Sequence, residues 1–219
     1  MEEFAGRVAV VTGAGSGIGL ALARAFAAES MSVVLADVED AALEKAAAEV
    51  AESGADAVAV RTDVSDPDSV AALADTAYDR FGAVHVLCNN AGVSGGGLSW
   101  EIPLDEWDWI LGVNLRGVIH GVHAFVPRMV AGGEDGHIVN TASVAGLVTT
   151  PFMASYNVSK HGVVTLSETM AVELAMVGSP LGVSVVCPGW VRTRIHEADR
   201  NRPGKPPALG STSVARAVT

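Results

Sequence analysis

The sequence predicts an α/β fold, a doubly wound parallel sheet with helices on both faces. Three observations carry that expectation. Short β-branched runs alternate with Ala- and Leu-rich runs of helical length, as helices crossing between parallel strands require. A glycine-dense turn separates the first β-branched run from the first helical one, and an acid, Asp37, closes the second β-branched run.

The elements follow in order. Arg7–Thr12 is the first strand and stops at Gly13, with a helix from Ile18 to Ser30. Val33–Ala36 is the second strand, a helix spans Asp40 to Ser53, and Ala57–Arg61 is the third strand. Ser65-Asp66-Pro67-Asp68 supplies a capping side chain and a first-turn proline, so a helix begins there, running to Phe81 before Gly82. Val84–Asn89 is strand four, a long helix covers Leu104 to Val130 before Gly132-Gly133, and His137–Ala142 is strand five. The last helix runs from Tyr156 to Val177 and strand six from Val183 to Cys187. Residues 1–195 read as one domain, and 196–219 as an irregular Pro-rich segment.

Composition removes several classes of function. The 219 residues suit one domain, and 49% hydrophobic against 18% charged residues exclude global disorder. No apolar run reaches the roughly 20 residues of a membrane span, and the acidic Met1-Glu2-Glu3 start is no secretory signal. A net charge of −11 argues against nucleic acid and anionic membrane as partners. Cys88 and Cys187, each in an apolar run, read as buried free thiols of a reducing cytoplasm, and too few ligands are grouped for a metal site.

Between strand one and helix one lies Thr12-Gly13-Ala14-Gly15-Ser16-Gly17-Ile18-Gly19. Its glycines let the backbone turn sharply against a pyrophosphate, which the helix N-terminal amides then face. The spacing departs from G-x-G-x-x-G at Ile18 but fits T-G-x-x-x-G-x-G. Asp37 can accept both adenosine-ribose hydroxyls and repel a 2′-phosphate, and Ala14 and Val38 carry no charge to attract one. NAD is therefore expected over NADP. Farther along, Tyr156 and Lys160 stand one helical turn apart on one face. A nearby ammonium favours the phenolate, making the phenol a proton donor or acceptor near neutral pH.

With Asn89-Asn90-Ala91-Gly92, Asn114, Ser143 and Pro188-Gly189 added, the sequence resembles the short-chain dehydrogenase/reductase family from about Ala5 to Ile195. The resemblance implies that Thr12, Gly13, Ser16, Gly17, Ile18 and Gly19 form the pyrophosphate turn. It implies that Asp63 and Val64 hold adenine, and that Asn89, Ala91 and Gly92 line the cofactor floor. Tyr156 would transfer the proton, with Lys160 binding the nicotinamide ribose and lowering the phenol pKa. Ser143 would hold the reacting oxygen and Asn114 a relay water. Pro188, Gly189, Val191 and Thr193 lie in the segment that would grip the carboxamide.

Around the reacting carbon the resemblance places Ser94, Ser143, Val144, Ala145, Gly146, Pro151, Phe152, Trp190 and Val191, none of them charged. A hydrophobic or alicyclic secondary alcohol or ketone is the expected substrate. The basic residues after Trp190 (Arg192, Arg194, Arg200, Arg202, Lys205 and Arg216) read as solvated loop charges. His120, His123, His137, His161 and the tryptophans Trp100, Trp107 and Trp109 read as packing or surface residues. Ser94-Gly95-Gly96-Gly97 reads as a flexible lip.

Val113, Val118, Val122, Val163, Leu166 and Met170 exceed one sheet-facing stripe on their helices, so a homodimer or homotetramer is expected. The family's usual further strand has no counterpart after Val191, Val214–Val218 being short, so truncation at the C-terminus is expected. A catalytically idle NAD sensor is the alternative function. The complete set of Asn114, Ser143, Tyr156 and Lys160 speaks against it, since a sensor needs no proton-transfer group.

Overall fold

The computed structural model describes residues 3–204. Six parallel strands, β1 (Val8–Thr12), β2 (Ser32–Asp37), β3 (Ala57–Arg61), β4 (Val86–Asn89), β5 (Gly136–Thr141) and β6 (Leu181–Val186), form one sheet in the order β3-β2-β1-β4-β5-β6. Helices α1 (Gly17–Ala28), α2 (Asp40–Glu52), α3 (Pro67–Phe81), α4 (Leu104–Leu111), α5 (Gly117–Gly132) and α6 (Ala154–Met176) complete the fold. This is the expected Rossmann-type architecture.

Strand periodicity explains the two cores. On β1, Val10 joins Val34, Leu87 and Ile138 on one face, beneath Leu73 of α3, Phe125 of α5 and Met170 of α6. Ala9 and Val11 point the other way, joining Val33, Leu35 and Cys88 beneath Ala23 of α1 and Leu43 of α2. A strand buried on both faces must be apolar at every position, which is why β1 lacks the alternation of a half-exposed strand. Each such Val or Leu contributes about 1.5–3 kcal/mol by leaving water. Among the described residues β6 forms the far edge. No further strand follows it among the described residues, as expected, and Val214–Val218 lies outside them.

Local signals account for the helix ends. The Asp66 carboxylate accepts from the Asp68 N–H at 3.0 Å with Pro67 in the first turn, and Gly82 closes α3 at φ 77°. The sequence predicts one uninterrupted helix over residues 104–130. A π-helical turn, Gly112–Arg116, instead joins α4 to α5. Residues 196 onward, expected as loop, contain 3-10 turns over Ile195–Asn201. The pocket lip is also more ordered than a run of glycines suggests. Gly97 N–H donates to the Phe152 carbonyl at 2.9 Å, and a Cβ on Gly95 would lie 2.6 Å from the Glu106 carboxylate. Gly96 is tighter still, a Cβ there lying 2.3 Å from the Phe152 carbonyl oxygen, so neither Gly95 nor Gly96 has room for a side chain.

Candidate active site

Strand order reverses between β1, which leads to β2, and its other neighbour β4. Parallel sheets open a crevice at the carboxyl ends of their strands at such a point. Here the crevice is a cleft of about 390 Å³ running from Asp37 to Tyr156.

Gly13, Ser16, Gly17 and Ile18 line one end of it. Gly13 and Gly17 take φ of +66° and +57°, a region closed to most side chains. Ser16, the residue before α1, makes no side-chain cap, so no side chain of its own covers the first amides of that helix. Asp37 is fixed from two sides, its carboxylate accepting from Gly15 N at 2.9 Å and Glu39 N at 3.0 Å. Asp63 and Val64 border the same end, the Asp63 carboxylate accepting from Ser65 Oγ at 2.6 Å. A turn that leaves helix amides open, with a carboxylate near it able to accept two ribose hydroxyls, fits a dinucleotide.

Three residues assigned to cofactor contact stand behind this surface instead. Thr12 Oγ1 accepts from Asn90 N at 2.9 Å and Ala91 N at 3.1 Å, tying β1 to the β4 turn. A Cβ on Gly19 would lie 2.1 Å from the Gly13 carbonyl oxygen, so that glycine permits the turn without facing the cleft. Asn89 turns away and donates to Asn140 Oδ1 at 2.9 Å, and Asn140 in turn donates to Ser167 Oγ at 3.0 Å. Asn90 takes the place at the lining, beside Ala91 and Gly92.

At the other end Ser143, Tyr156 and Lys160 meet on one wall. α6 carries Tyr156 and Lys160 one turn apart, with the Lys160 ammonium 5.7 Å from the Tyr156 ring centroid. Lys160 Nζ donates to the Thr141 carbonyl at 2.9 Å, and burial pulls its pKa down to about 8. Burial also pushes the Tyr156 phenol above its ordinary value, and a hydrogen bond with Ser143 offsets part of the rise. Desolvation, and not Lys160, sets the direction of this shift: the ammonium lies over the ring and donates to the Thr141 carbonyl. Asn114 is fully buried in the π turn. Its side chain accepts from Val93 N at 2.8 Å and donates to Val93 O at 2.9 Å and Ser159 Oγ at 3.1 Å. It therefore braces the loop above Gly92 and the start of α6.

Pro188, Gly189, Val191 and Thr193 line the cleft as expected, Thr193 crossing it to within 3.1 Å of where a Gly17 Cβ would lie. Ser94, Val144, Ala145 and Trp190 also line it. Gly146, Pro151 and Phe152 do not. Phe152 is held at φ 65° with its carbonyl on Gly97, and its neighbours Thr150 and Met153 reach the lining. Trp109, read as packing only, is part of the wall and lies 5.7 Å from the Arg202 guanidinium. His120, His137 and His161 bond to Val64 O, Ser184 Oγ and Asn157 O, outside the cleft.

The basic strap after Trp190 departs most from expectation. Arg200 binds Glu39 at 2.7 Å, and the buried Arg202 binds Asp105 at 2.8 Å and Glu106 at 3.1 Å. These are docked charges, drawn in by acids on α4 and just before α2. Lys205 and Arg216 lie outside the described residues. No sequence motif marks Arg200 or Arg202. Their partners stand roughly a hundred or more positions earlier, and the surplus of arginines in a short segment was the one available signal.

Among the described residues no helix is long and apolar enough to cross a membrane, and no group of three His, Cys, Asp or Glu could hold a metal ion. Cys88 is a buried free thiol whose pKa burial pushes up to about 12, and Cys187 is free and half-buried.

Sheet order, glycine turn and strand-end acid define a Rossmann-type nucleotide-binding protein. The chain belongs to the short-chain dehydrogenase/reductase family and is an oxidoreductase of the alcohol dehydrogenase type. A family model described as short chain dehydrogenase matches residues 7–204. A short chain dehydrogenase/reductase from Burkholderia phymatum, crystallised in complex with NAD, superposes with a TM-score of 0.94 at 48% identity over 98% of this chain and 78% of its own. A 1-deoxy-11-beta-hydroxypentalenate dehydrogenase from Streptomyces arenae is 42% identical over 95% of this chain and 74% of its own length. A C alpha-dehydrogenase from Sphingobium is 39% identical over 94% and 67%.

Proposed function

We propose that the chain is an NAD-dependent dehydrogenase interconverting a hydrophobic, notably alicyclic, secondary alcohol with its ketone. The observation that carries this is the convergence of the Tyr156 phenol, the Ser143 hydroxyl and the Lys160 ammonium on one wall of a cleft whose other end is a dinucleotide turn. Bound nicotinamide supplies or accepts the hydride. Tyr156 gives a proton to the oxygen that becomes alcohol, or takes it in the reverse direction. Ser143 donates a hydrogen bond to the same oxygen as charge develops there. Lys160, buried over the Tyr156 ring, would bind the cofactor ribose and, with the cofactor in place, supply positive charge that favours the phenolate. Asn114 acts as a positioning residue by holding Val93 and Ser159.

Cofactor choice is supported by Asp37, and by the NAD bound to the Burkholderia relative. The apolar character of Val93, Trp109, Val144, Ala145, Met153 and Trp190 supports the substrate class. Burial of hydrocarbon there contributes about 25 cal/mol per Å², whereas a carboxylate would be desolvated without a partner. A homodimer or homotetramer in the cytoplasm completes the proposal. The test compares kcat/KM for an alicyclic secondary alcohol with that for a short hydroxy acid under saturating NAD. The alicyclic alcohol is expected to win by at least about tenfold, and a preference for the hydroxy acid rejects the substrate class.

A further inference from the structure

The adenosine end of the cleft holds an arginine that the sequence pattern did not place there. Arg200 and Asn201, at the end of the strap, line the same cleft as Asp37, Val38 and Glu39. One oxygen of Glu39, Oε1, accepts three hydrogen bonds: from Arg200 Nε at 3.0 Å, Arg200 Nη2 at 2.7 Å and Asn201 Nδ2 at 3.1 Å. The remaining terminal nitrogen of Arg200, Nη1, donates to the Arg194 carbonyl at 3.0 Å. Glu39 in turn reaches Asp37 through its own backbone, donating N–H to Asp37 Oδ1 at 3.0 Å. The two other cations nearby are also engaged. Arg194 binds Glu197 at 3.0 Å, and Arg61, outside the cleft lining, lies 3.4 Å from Asp40. Arg200 is the one of these three that is only 22% exposed. Its partner's carboxyl is held below its ordinary pKa, chiefly by Arg200, so the pair stays ionised through neutral pH.

We propose that Glu39 is a second cofactor-specificity residue, which acts by occupying the Arg200 guanidinium and so denying it to a 2′-phosphate. The proposal rests on the NAD reading above and deepens it. NAD and NADP differ by one doubly charged group on the adenosine ribose. Asp37 excludes that group by charge and by taking the ribose hydroxyls. Exclusion would be incomplete if a free guanidinium stood in the same corner, because arginine binds phosphate through paired, charge-assisted hydrogen bonds. Glu39 removes that option. Its carboxylate takes two of the guanidinium's donors and adds a further negative charge to the approach. The clasp also joins the turn before α2 to the strap that lines the cleft, so the guanidinium is held at the adenosine end instead of out in solvent.

The test measures dissociation constants for NAD and NADP by isothermal calorimetry on the full chain, without substrate, and reads their ratio. Three proteins are compared: wild type, Glu39→Gln, and Glu39→Gln/Arg200→Gln. Glutamine keeps the side-chain length and one oxygen, so the strap keeps a hydrogen-bond partner while the charge is lost, and thermal melts establish that each variant is folded. Wild type is expected to favour NAD at least ~100-fold. Glu39→Gln should narrow that ratio at least about tenfold, and the double variant should restore it to within a factor of about three. Equal affinities in wild type overturn the cofactor reading and the proposal together. A wild type that prefers NAD, with an unchanged ratio in folded Glu39→Gln, overturns the proposal alone. A narrowed ratio that persists in the double variant shows that charge removal sufficed without Arg200, and also overturns it. Should Glu39→Gln not fold, Glu39→Asp, which retracts the carboxylate by one methylene from Arg200, must narrow the ratio in the same direction for the proposal to stand.

Discussion

At the scale of single residues, burial governs the chemistry. Tyr156 and Lys160 both lie in the wall of the cleft, and desolvation moves each toward its neutral form. For Tyr156 the consequence is a phenol that keeps its proton until something withdraws it. Tyr156→Phe is expected to lower kcat by at least about a thousandfold while the NAD dissociation constant changes less than threefold, since the hydroxyl serves proton transfer. Stopped-flow rates and calorimetry check the two halves separately, and a variant keeping a tenth of the rate would place the proton donor elsewhere. For Lys160 the consequence is a stability term. Its folded pKa, about 8, lies below its ordinary 10.5, so between those values the unfolded chain binds more protons and stability rises with pH. Below about 8 the full cost of burying the cation applies. In thermal melts without cofactor, wild type should gain on Lys160→Met as pH climbs from 8 to 10.5, and a pH-independent difference between the two would refute the burial account.

At the scale of elements, the site depends on how closely helices approach the sheet. α5 crosses β4 where Gly121 faces Asn89, and a Cβ at that glycine would lie 2.1 Å from Asn89 Oδ1. Asn89 has no freedom to retreat, because it is bonded to Asn140 and through it to Ser167. Gly121→Ala should therefore destabilise by about 1–3 kcal/mol through overpacking, against a helix-propensity gain of about 1 kcal/mol. Denaturant melts check this, and an unchanged midpoint would mean that the interface yields more easily than its geometry indicates. The π turn between α4 and α5 is the other feature at this scale. It sets Asn114 inward, where three hydrogen bonds hold the loop and α6 together. Periodicity did not reveal it: the extra residue shifts the helical phase by about 100°, but α4 has only 8 residues, too few to fix a phase against which the shift would show.

At the scale of the whole molecule, a homo-oligomer is again proposed, with different residues behind it. Val118, Val163 and Met170, chosen for a partner-facing stripe, are buried in the chain's own core, while Val113, Val122 and Leu166 are half-buried. The apolar side chains that α5 and α6 do leave exposed include Ile119, Val158 and Val172, the last at 61%. A homo-oligomer is expected to bury them, so light scattering at micromolar concentration should give a multiple of the 22.4 kDa chain, and Val172→Lys should reduce it. A monomer mass for wild type would reject the assembly. Most of the architecture was legible beforehand. Strand and helix identity follow from local periodicity, the glycine turn, Asp37 and the Tyr156–Lys160 pair follow from short-range spacing, and Ser143 follows from the family resemblance, so the sequence alone determined the Rossmann-type fold and both ends of the cleft. Tertiary structure decided which side of each turn faces inward, placing Thr12, Gly19 and Asn89 behind the cleft and Asn90 in front. It also decided that Arg200 meets Glu39 and Arg202 meets Asp105, pairs 161 and 97 positions apart. Local pattern encodes the conformation of a segment. Which distant charge that segment meets depends on where the packed sheet brings the chain ends, and no short-range spacing records it.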